Sequence, residues 1–479
     1  MIPLTLADVA VAVGGTLHGA SGTEAVTGTV EFDSRRIGPG GLFVALPGDR
    51  VDGHAFATAA VTAGAAGVLA ARPVAAPTVI VPPAAAGYGG SYALAADATG
   101  AGAAVLAALA RLARTVVDRL PDLTVVGITG SSGKTSTKDM LAVLLAPLGS
   151  TVAPPGSFNN EVGHPWTALR ADACTRHLVL ELSARGPGHV AALCAVAPPS
   201  IGVVLNVGSA HLGEFGSREA VAAAKGELVV ALPADGVAVL NADDPVVTAM
   251  DRRTAARVVR FGVAGGADVR AADVVLDAAG RARFRLVSPA GEARVQLAVH
   301  GQHQVGNALA AAAVALELGA TPAAIADTLG GYRPASRWRM EVAERADGVT
   351  VVNDAYNANP ESVRAALETL VAMAGRGRSW AVLGPMAELG VIESAAHEEI
   401  GRLVAALGVD RLVVVGERAA AMRRAAGATA VLVPDVAAAL SLLRAELRPG
   451  DVVLAKASRA QRLERVADGL LAAGEGCPP

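Results

Sequence analysis

Lysine is almost missing from this chain. Of 41 basic residues, four are lysine (Lys134, Lys138, Lys225 and Lys456) and 37 are arginine. Arginine is a fixed planar cation, whereas a lysine amine can lose its proton when buried and become a nucleophile. Each lysine kept in such a background is a candidate for work that a guanidinium cannot do. Cysteine is as scarce. Cys174, Cys194 and Cys477 form an odd set without metal-ligand spacing, which argues against a disulfide framework and fits reduced thiols in the cytoplasm. Aromatic residues make up only 3% of the chain, so the 52% hydrophobic content is mostly small and aliphatic. No stretch of about 18 uninterrupted apolar residues occurs, which argues against membrane insertion. There is no basic block, and a net charge of −3 speaks against a nucleic-acid partner. The first residues, "MIPLTLADVAVAVGG", lack the basic start of a secretory signal.

What is there falls into three segments, as 479 residues are too many for one domain. Residues 1–97 hold short strand-like pieces such as "GLFVAL" and "PTVIVP". From 98 to 330, the strands "LTVVGITG", "HLVLELS", "SIGVVLNVG" and "GVAVLNADDP" alternate with helical runs. From 331 to 479 the pattern restarts with "GVTVVNDAYN", "SWAVLGPM", "RLVVVGE" and "DVVLAKAS". Short β-branched strands separated by helices predict an α/β fold with parallel sheets built from βαβ units. Ligands of such sheets bind beyond the carboxyl ends of the strands. Chemistry is therefore sought in the residues that directly follow each strand.

"LTVVGITGSSGKTSTKDMLAVLL" reads as strand, glycine-rich turn and helix. Gly127, Gly130 and Gly133 would let backbone N–H groups close around phosphates. Lys134 adds a point charge, and the Thr135 hydroxyl suits Mg²⁺. The strict phosphate-loop pattern needs glycine where Ile128 stands, so the match is to a variant loop with glycine one residue earlier. No lysine follows an asparagine, so the guanine-reading Asn-Lys-x-Asp motif is absent and ATP is the expected nucleotide. Lys138, one turn further on, reads as a helix-surface residue without a role.

Three more residues gather at or after the central strands. Glu181 lies in "HLVLELS", His211 follows "VVLNVGSA", and Lys225 lies on a helix expected to begin near Ser217. Val221, Leu228 and Val229 share the helix face of Lys225. Such a lysine either snorkels to water or is desolvated with a lowered pKa. Taken singly, Glu181 reads equally as a structural acid and His211 as a satisfied loop histidine. Their shared placement around a phosphate loop favours the functional reading. A neutral Lys225 amine could capture CO₂ as a carbamate, an anionic metal ligand that arginine cannot imitate.

"GITGSSGKT", "LELSARGPGH", "NVGSAHLGEFGSREAVAAAKGE" and "NDAYNANPES" together resemble the Mur ligases of cell-wall precursor synthesis, across all three segments. The resemblance implies three α/β domains: an N-terminal UDP-binding domain (1–97), a central ATP-binding domain (98–330) and a C-terminal Rossmann-like domain for the incoming dipeptide (331–479). It implies ATP-dependent ligation of D-alanyl-D-alanine to UDP-N-acetylmuramoyl-tripeptide through an acyl phosphate, by a cytoplasmic monomer using two Mg²⁺ ions. Lys134, Glu181, His211, Lys225 and Arg339 would be catalytic. Thr135, Glu181, His211 and carbamylated Lys225 would hold the metals. Gly130, Ser131, Ser132, Gly133, Ser136, Asn307 and Asp354 would join Lys134, Thr135 and Arg339 around ATP.

For the UDP-substrate, the matching positions are Ser34, Arg35, Phe43, Gly48, Asp52, Gly53, His54, Asn159 and Asn160. Phe43 would offer its ring to uracil. For the dipeptide they are Asn357, Asn359, Lys456, Ser458 and Arg459. Three departures stand out: Gln304 replaces an asparagine of the adenine-contacting motif, Pro385 stands where an acid is usual, and Ala457 replaces glycine. Two other functions stay open on sequence alone. One is another amide ligase of the superfamily, adding a single amino acid or glutamate; the other is a non-catalytic, nucleotide-gated binding protein.

Overall fold

The computed structural model describes residues 1–48, 51–84, 97, 99–209 and 212–472. Three larger sheets carry the fold among the described residues. The first holds Thr16–His18, Thr78–Ile80, Gly67–Ala70, Leu42–Val44 and Val30–Glu31 side by side, all parallel except its first pair. The third runs Glu341–Glu344, Thr350–Asn353, Val452–Lys456, Ser379–Leu383, Arg411–Val415 and Ala430–Val433, with only its first strand antiparallel. Every strand quoted from the sequence is present. Near-continuous Val/Leu/Ala runs such as "VVLAK" are buried on both faces, as parallel strands between helices must be.

The middle sheet positions the site. Thr124–Thr129 lies between Ile201–Val204 and Thr175–Glu181, all parallel, with Glu181 opposite Ile128 in register. Their carboxyl ends therefore face one edge together, and the phosphate-loop segment, Glu181 and residues 205–209 emerge side by side. The helix Lys134–Leu145 covers one face, packed with His303–Glu317. The other face belongs to a core that also takes in the amino-terminal helix Leu6–Val13 and the long helix Ala101–Asp118.

One part of this sheet differs from the βαβ expectation. Val269–Leu276, Arg281–Ser288 and Gly291–His300 form an antiparallel meander that extends the sheet to nine strands. "RARFRLVS" alternates arginine with buried Ala282, Phe284 and Leu286, the signature of a strand with one wet face.

Candidate active site

The phosphate loop is braced by hydrogen bonds within the protein. Asn206, just beyond the neighbouring strand, accepts at Oδ1 from the Ser131 N–H (3.0 Å) and the Ser132 N–H (2.9 Å). Ser131 Oγ accepts from the Gly208 N–H at 2.9 Å. Lys134 opens the helix and donates to the Gly130 carbonyl at 2.6 Å. Burial, opposed by Glu181 and reinforced by the Arg339 charge, pushes the Lys134 ammonium down to about 8. Gly133 has φ +83°, and a Cβ there would sit 2.4 Å from Asn307 Oδ1, so only glycine fits. Ser136 lies in the first turn of the same helix.

Gly127 behaves differently from the sequence expectation. It lies inside Thr124–Thr129, where a Cβ would press on Leu182 and Leu228 at 3.0 Å. It serves sheet packing and lies within the strand, ahead of the turn that runs from Gly130 into the helix at Lys134. Asn307 is buried against the loop glycine and donates to Gln304 Oε1 at 2.9 Å. Gln304 is itself buried in that pair, so its substitution for asparagine is absorbed inside the protein.

Beside the loop, Glu181 is fully buried. Its Oε2 accepts from Ser157 Oγ (3.0 Å), Asn159 Nδ2 (3.3 Å) and Thr135 Oγ1 (3.4 Å). Its Oε1 has no hydrogen-bond partner among the described residues. A buried carboxylate oxygen without a donor is costly, and a divalent cation beside the Thr135 hydroxyl would satisfy it. The residues present therefore fit a magnesium ion. Across the gap, Arg339 Nη2 donates to Thr135 Oγ1 at 3.0 Å while its guanidinium covers the Tyr356 ring at 3.9 Å. Asn359 Nδ2 reaches the Ser131 carbonyl at 3.4 Å. It also caps the helix Pro360–Ala374, with Pro360 in the first turn.

Lys225 ends the helix Arg218–Lys225, which Ser217 caps. The lysine is buried with Val221, Leu228 and Val229. Burial first, and then the Lys134 charge, hold its pKa well below the ordinary lysine range. His211 lies outside the described residues. Among those described, no three His, Cys, Asp or Glu side chains gather around one point as a metal cluster.

Several other expected residues turn out to hold the framework. Phe43 is a core side chain, 1% exposed with Ile37, Ala57 and Val68, so its ring has no open face for uracil. Asp52 binds His54 (2.6 Å) and Arg72 (2.9 Å). Burial alone would raise the Asp52 carboxyl, but these partners hold it down at about 2. Gly53 passes so close to Leu46 that a Cβ would lie 2.6 Å from its carbonyl. Ser34 and Gly48 sit at the surface of the same sheet, and Arg35 is exposed and paired with Asp33. Asn160 Oδ1 accepts from the Gly163 N–H at 3.0 Å, and Asn159 belongs to the Glu181 cluster.

In the third body, Lys456 is buried on Asp354 Oδ2 (2.5 Å) and the Asn357 carbonyl (2.9 Å), so its charge is not free for a dipeptide carboxylate. Asp354 is engaged the same way, with its Oδ1 accepting from the Met340 N–H at 3.1 Å. Ser458 Oγ accepts from the Ala387 N–H at 2.7 Å, while its own N–H donates to the Pro385 carbonyl at 3.0 Å. Ala457, in place of glycine, is fully buried. Arg459 lies over the Trp338 ring at 4.2 Å and pairs with Glu464 at 2.8 Å. Of this set, Asn357 and Arg459 are exposed. Lys138 is 1% exposed, the reverse of a surface lysine.

Sequence reading missed Asn206, Ser157 and Glu361. Glu361 accepts from the Ser209 N–H (2.7 Å) and Ser209 Oγ (3.1 Å), tying the third body to the loop before His211. None of the three carries a local signal beyond being polar and near a strand end. A cavity of about 590 Å³ opens here, lined by Ser132, Asn206, Gly208, Ser209, Arg218, Asp244 and Glu361. That volume is in the range of small-molecule sites and lies directly beside the phosphate loop.

An α/β protein with a phosphate loop, a buried acid lacking one partner among the described residues and a cation delivered from the carboxyl-terminal segment is built for nucleotide-dependent chemistry. Family models match along the chain: "Mur ligase family, catalytic domain" over residues 28–115, "Mur ligase middle domain" over 128–315, and "Mur ligase, glutamate ligase domain" over 338–459. A UDP-N-acetylmuramoyl-tripeptide--D-alanyl-D-alanine ligase of Mycobacterium tuberculosis is 57% identical over 98% of both chains. The Escherichia coli protein of that name is 35% identical over 98% of this chain and 99% of its own. Among solved structures, MurF of Acinetobacter baumannii superposes with a TM-score of 0.85 at 29% identity, covering 98% of this chain and 99% of that one. MurF ligase of Thermotoga maritima, in complex with ADP, gives 0.79 at 32% identity, covering 94% and 98%. The chain belongs to the Mur ligase family.

Proposed function

We propose that this protein joins D-alanyl-D-alanine to UDP-N-acetylmuramoyl-tripeptide at the expense of ATP. The tripeptide carboxylate attacks the γ-phosphorus, ADP leaves, and an acyl phosphate forms. The dipeptide amine then attacks the acyl carbon, and phosphate departs from the tetrahedral intermediate. The names and near full-length coverage of the relatives support these substrates. One observation carries the chemistry: Arg339 crosses to Thr135 at 3.0 Å beside the unpartnered oxygen of Glu181, so positive charge and a metal-ready carboxylate converge on the phosphate loop.

The loop N–H groups and Lys134 bind the β- and γ-phosphates, and Arg339 neutralises charge that grows on the transferred group. Thr135 and Glu181 would hold one magnesium ion; Glu181, His211 and carbamylated Lys225 would hold a second. Such ions shield the phosphate oxygens from the incoming carboxylate. Residues 1–97 would bind the UDP portion, 98–330 ATP and 331–479 the dipeptide. The third body excludes water that would otherwise hydrolyse the acyl phosphate. No described helix is long and apolar enough to cross a membrane; we propose a cytoplasmic monomer on the nature of its substrates.

Phosphate release tests the proposal. UDP-N-acetylmuramoyl-tripeptide, ATP and Mg²⁺ with D-alanyl-D-alanine should give sustained release; omitting the dipeptide should stop it. Turnover with a free amino acid in place of the dipeptide would move the assignment to another ligase of the superfamily. Nucleotide binding with no turnover under any combination would favour a binding protein.

A further inference from the structure

We propose that Lys138 is a positioning residue: its buried ammonium fixes Arg339 and the Glu181 cluster relative to the phosphate loop. The inference rests on the ligase reading for its consequence and on geometry for its existence. Lys138 lies one turn beyond Lys134 on the phosphate-loop helix, with its side chain 2% exposed. Its ammonium pairs with Asp139, donates to the Pro154 carbonyl at 2.7 Å and reaches Ser336 Oγ at 3.4 Å. Asp139 Oδ2 in turn accepts from the Ser336 N–H at 3.0 Å. One helix turn thereby grips two segments distant in sequence.

Both segments lead into the site. Three residues after Pro154, Ser157 donates to Glu181 Oε2 at 3.0 Å. Three residues after Ser336, Arg339 donates to Thr135 Oγ1 at 3.0 Å. The connector around Arg339 is strained, since Trp338 (φ +59°) and Met340 (φ +52°) both occupy the left-handed region. Strain of this kind persists only where the surroundings over-determine the backbone. The Ser336–Asp139 bond holds the connector on one side of Arg339. On the other side, the Met340 N–H donates to Asp354 Oδ1 at 3.1 Å.

Lysine suits this position chemically. Three acceptors approach one buried point from different elements, which matches an ammonium with three rotatable donors. A planar guanidinium is larger and would overpack a slot with no solvent exit.

The test uses Lys138→Met together with Lys138→Met/Asp139→Leu, because replacing both partners of a buried pair with apolar groups avoids stranding a charge. Hydrogen exchange of peptides covering 153–159 and 333–340 is measured with kcat and KM for ATP. Both peptides should exchange faster in the double variant, with kcat falling about 100-fold and KM for ATP moving less than about threefold. In an Arg339→Ala background, the same double change should cost less than about threefold further, since the group being positioned is already gone. If neither apolar variant folds, Ser336→Ala removes a single acceptor and should loosen 333–340 while lowering kcat in the same direction. Losses that multiply in full, unchanged exchange, or kcat within about threefold of wild type would overturn the proposal. If the wild type itself releases no phosphate, the ligase reading fails, and exchange in the two segments alone decides whether the strut exists.

Discussion

At the scale of single residues, scarcity was informative. All four lysines have low exposure, and three of them, Lys138, Lys225 and Lys456, are essentially inaccessible. Lys225 is buried, and burial and then the Lys134 charge hold its pKa well below the ordinary range, as a CO₂-capturing amine requires. Lys225→Arg should keep the fold, judged by circular dichroism and thermal melting, yet lose at least about 100-fold in turnover. Added bicarbonate should not restore that variant, whereas Lys225→Ala should recover partly with short carboxylates; full activity in the arginine variant would remove the carbamate reading.

His164 makes a second prediction at this scale. It is fully buried, and burial pushes its pKa down to about 4, despite opposing pulls from the Glu181 and Leu193 backbones. The unfolded chain takes up a proton below its ordinary value near 6.5 that the folded protein refuses. Stability should therefore be whole above that pH and fall by about 3 kcal/mol as pH drops towards 4. Urea unfolding midpoints of wild type and His164→Gln, compared at pH 7.5 and 5, check this. The substitution should flatten the slope, and equal slopes would contradict the assignment.

At the scale of elements, the phosphate loop shows which glycines matter. Gly133→Ala would add a Cβ 2.4 Å from Asn307 Oδ1 in a left-handed backbone. ATP affinity, measured by calorimetry, should fall at least about tenfold, while Ala substitution at Gly306, which has open space around its Cβ position, should cost little. The loop and its flanking strand and helix were legible because a run of β-branched residues ends in glycines and then a helical pattern. The meander after residue 268 is written in the arginine–apolar alternation of "RARFRLVS", a period of two that differs from the continuous apolar runs of the parallel strands. The braces Asn206, Ser157 and Glu361 were not legible. Nothing local distinguishes a polar side chain that spans two strand ends from one that meets water.

At the scale of the whole molecule, the third body is held against the middle sheet by a few specific contacts. Arg339 meets Thr135, Asn359 meets Ser131, Glu361 meets Ser209, and the Gly213 N–H donates to the Glu388 carbonyl at 3.2 Å. Gly213 and Gly390 pass so closely that a Cβ on Gly213 would lie 2.5 Å from the Gly390 nitrogen. Gly213→Ala should therefore favour an opened arrangement. Small-angle scattering should give a larger radius of gyration than wild type, with kcat lower by about tenfold and the unfolding midpoint little changed. A radius equal to wild type, with ATP analogue present, would show that this contact does not govern closure.

The sequence alone determined the α/β class, the phosphate loop and the helix that presents Lys225, because each follows from short-range periodicity and residue chemistry. It also singled out Glu181 and Lys225 by type and position at the strand ends. The tertiary structure decided what each polar group touches. It turned Lys138 from a surface residue into a buried strut, moved Phe43 into the core and engaged Lys456 with Asp354. The physical reason is that burial and partnership belong to the packing of distant segments. Pro154 and Ser336 both follow Lys138 in the sequence but lie far apart from each other, and no short window along the chain contains both.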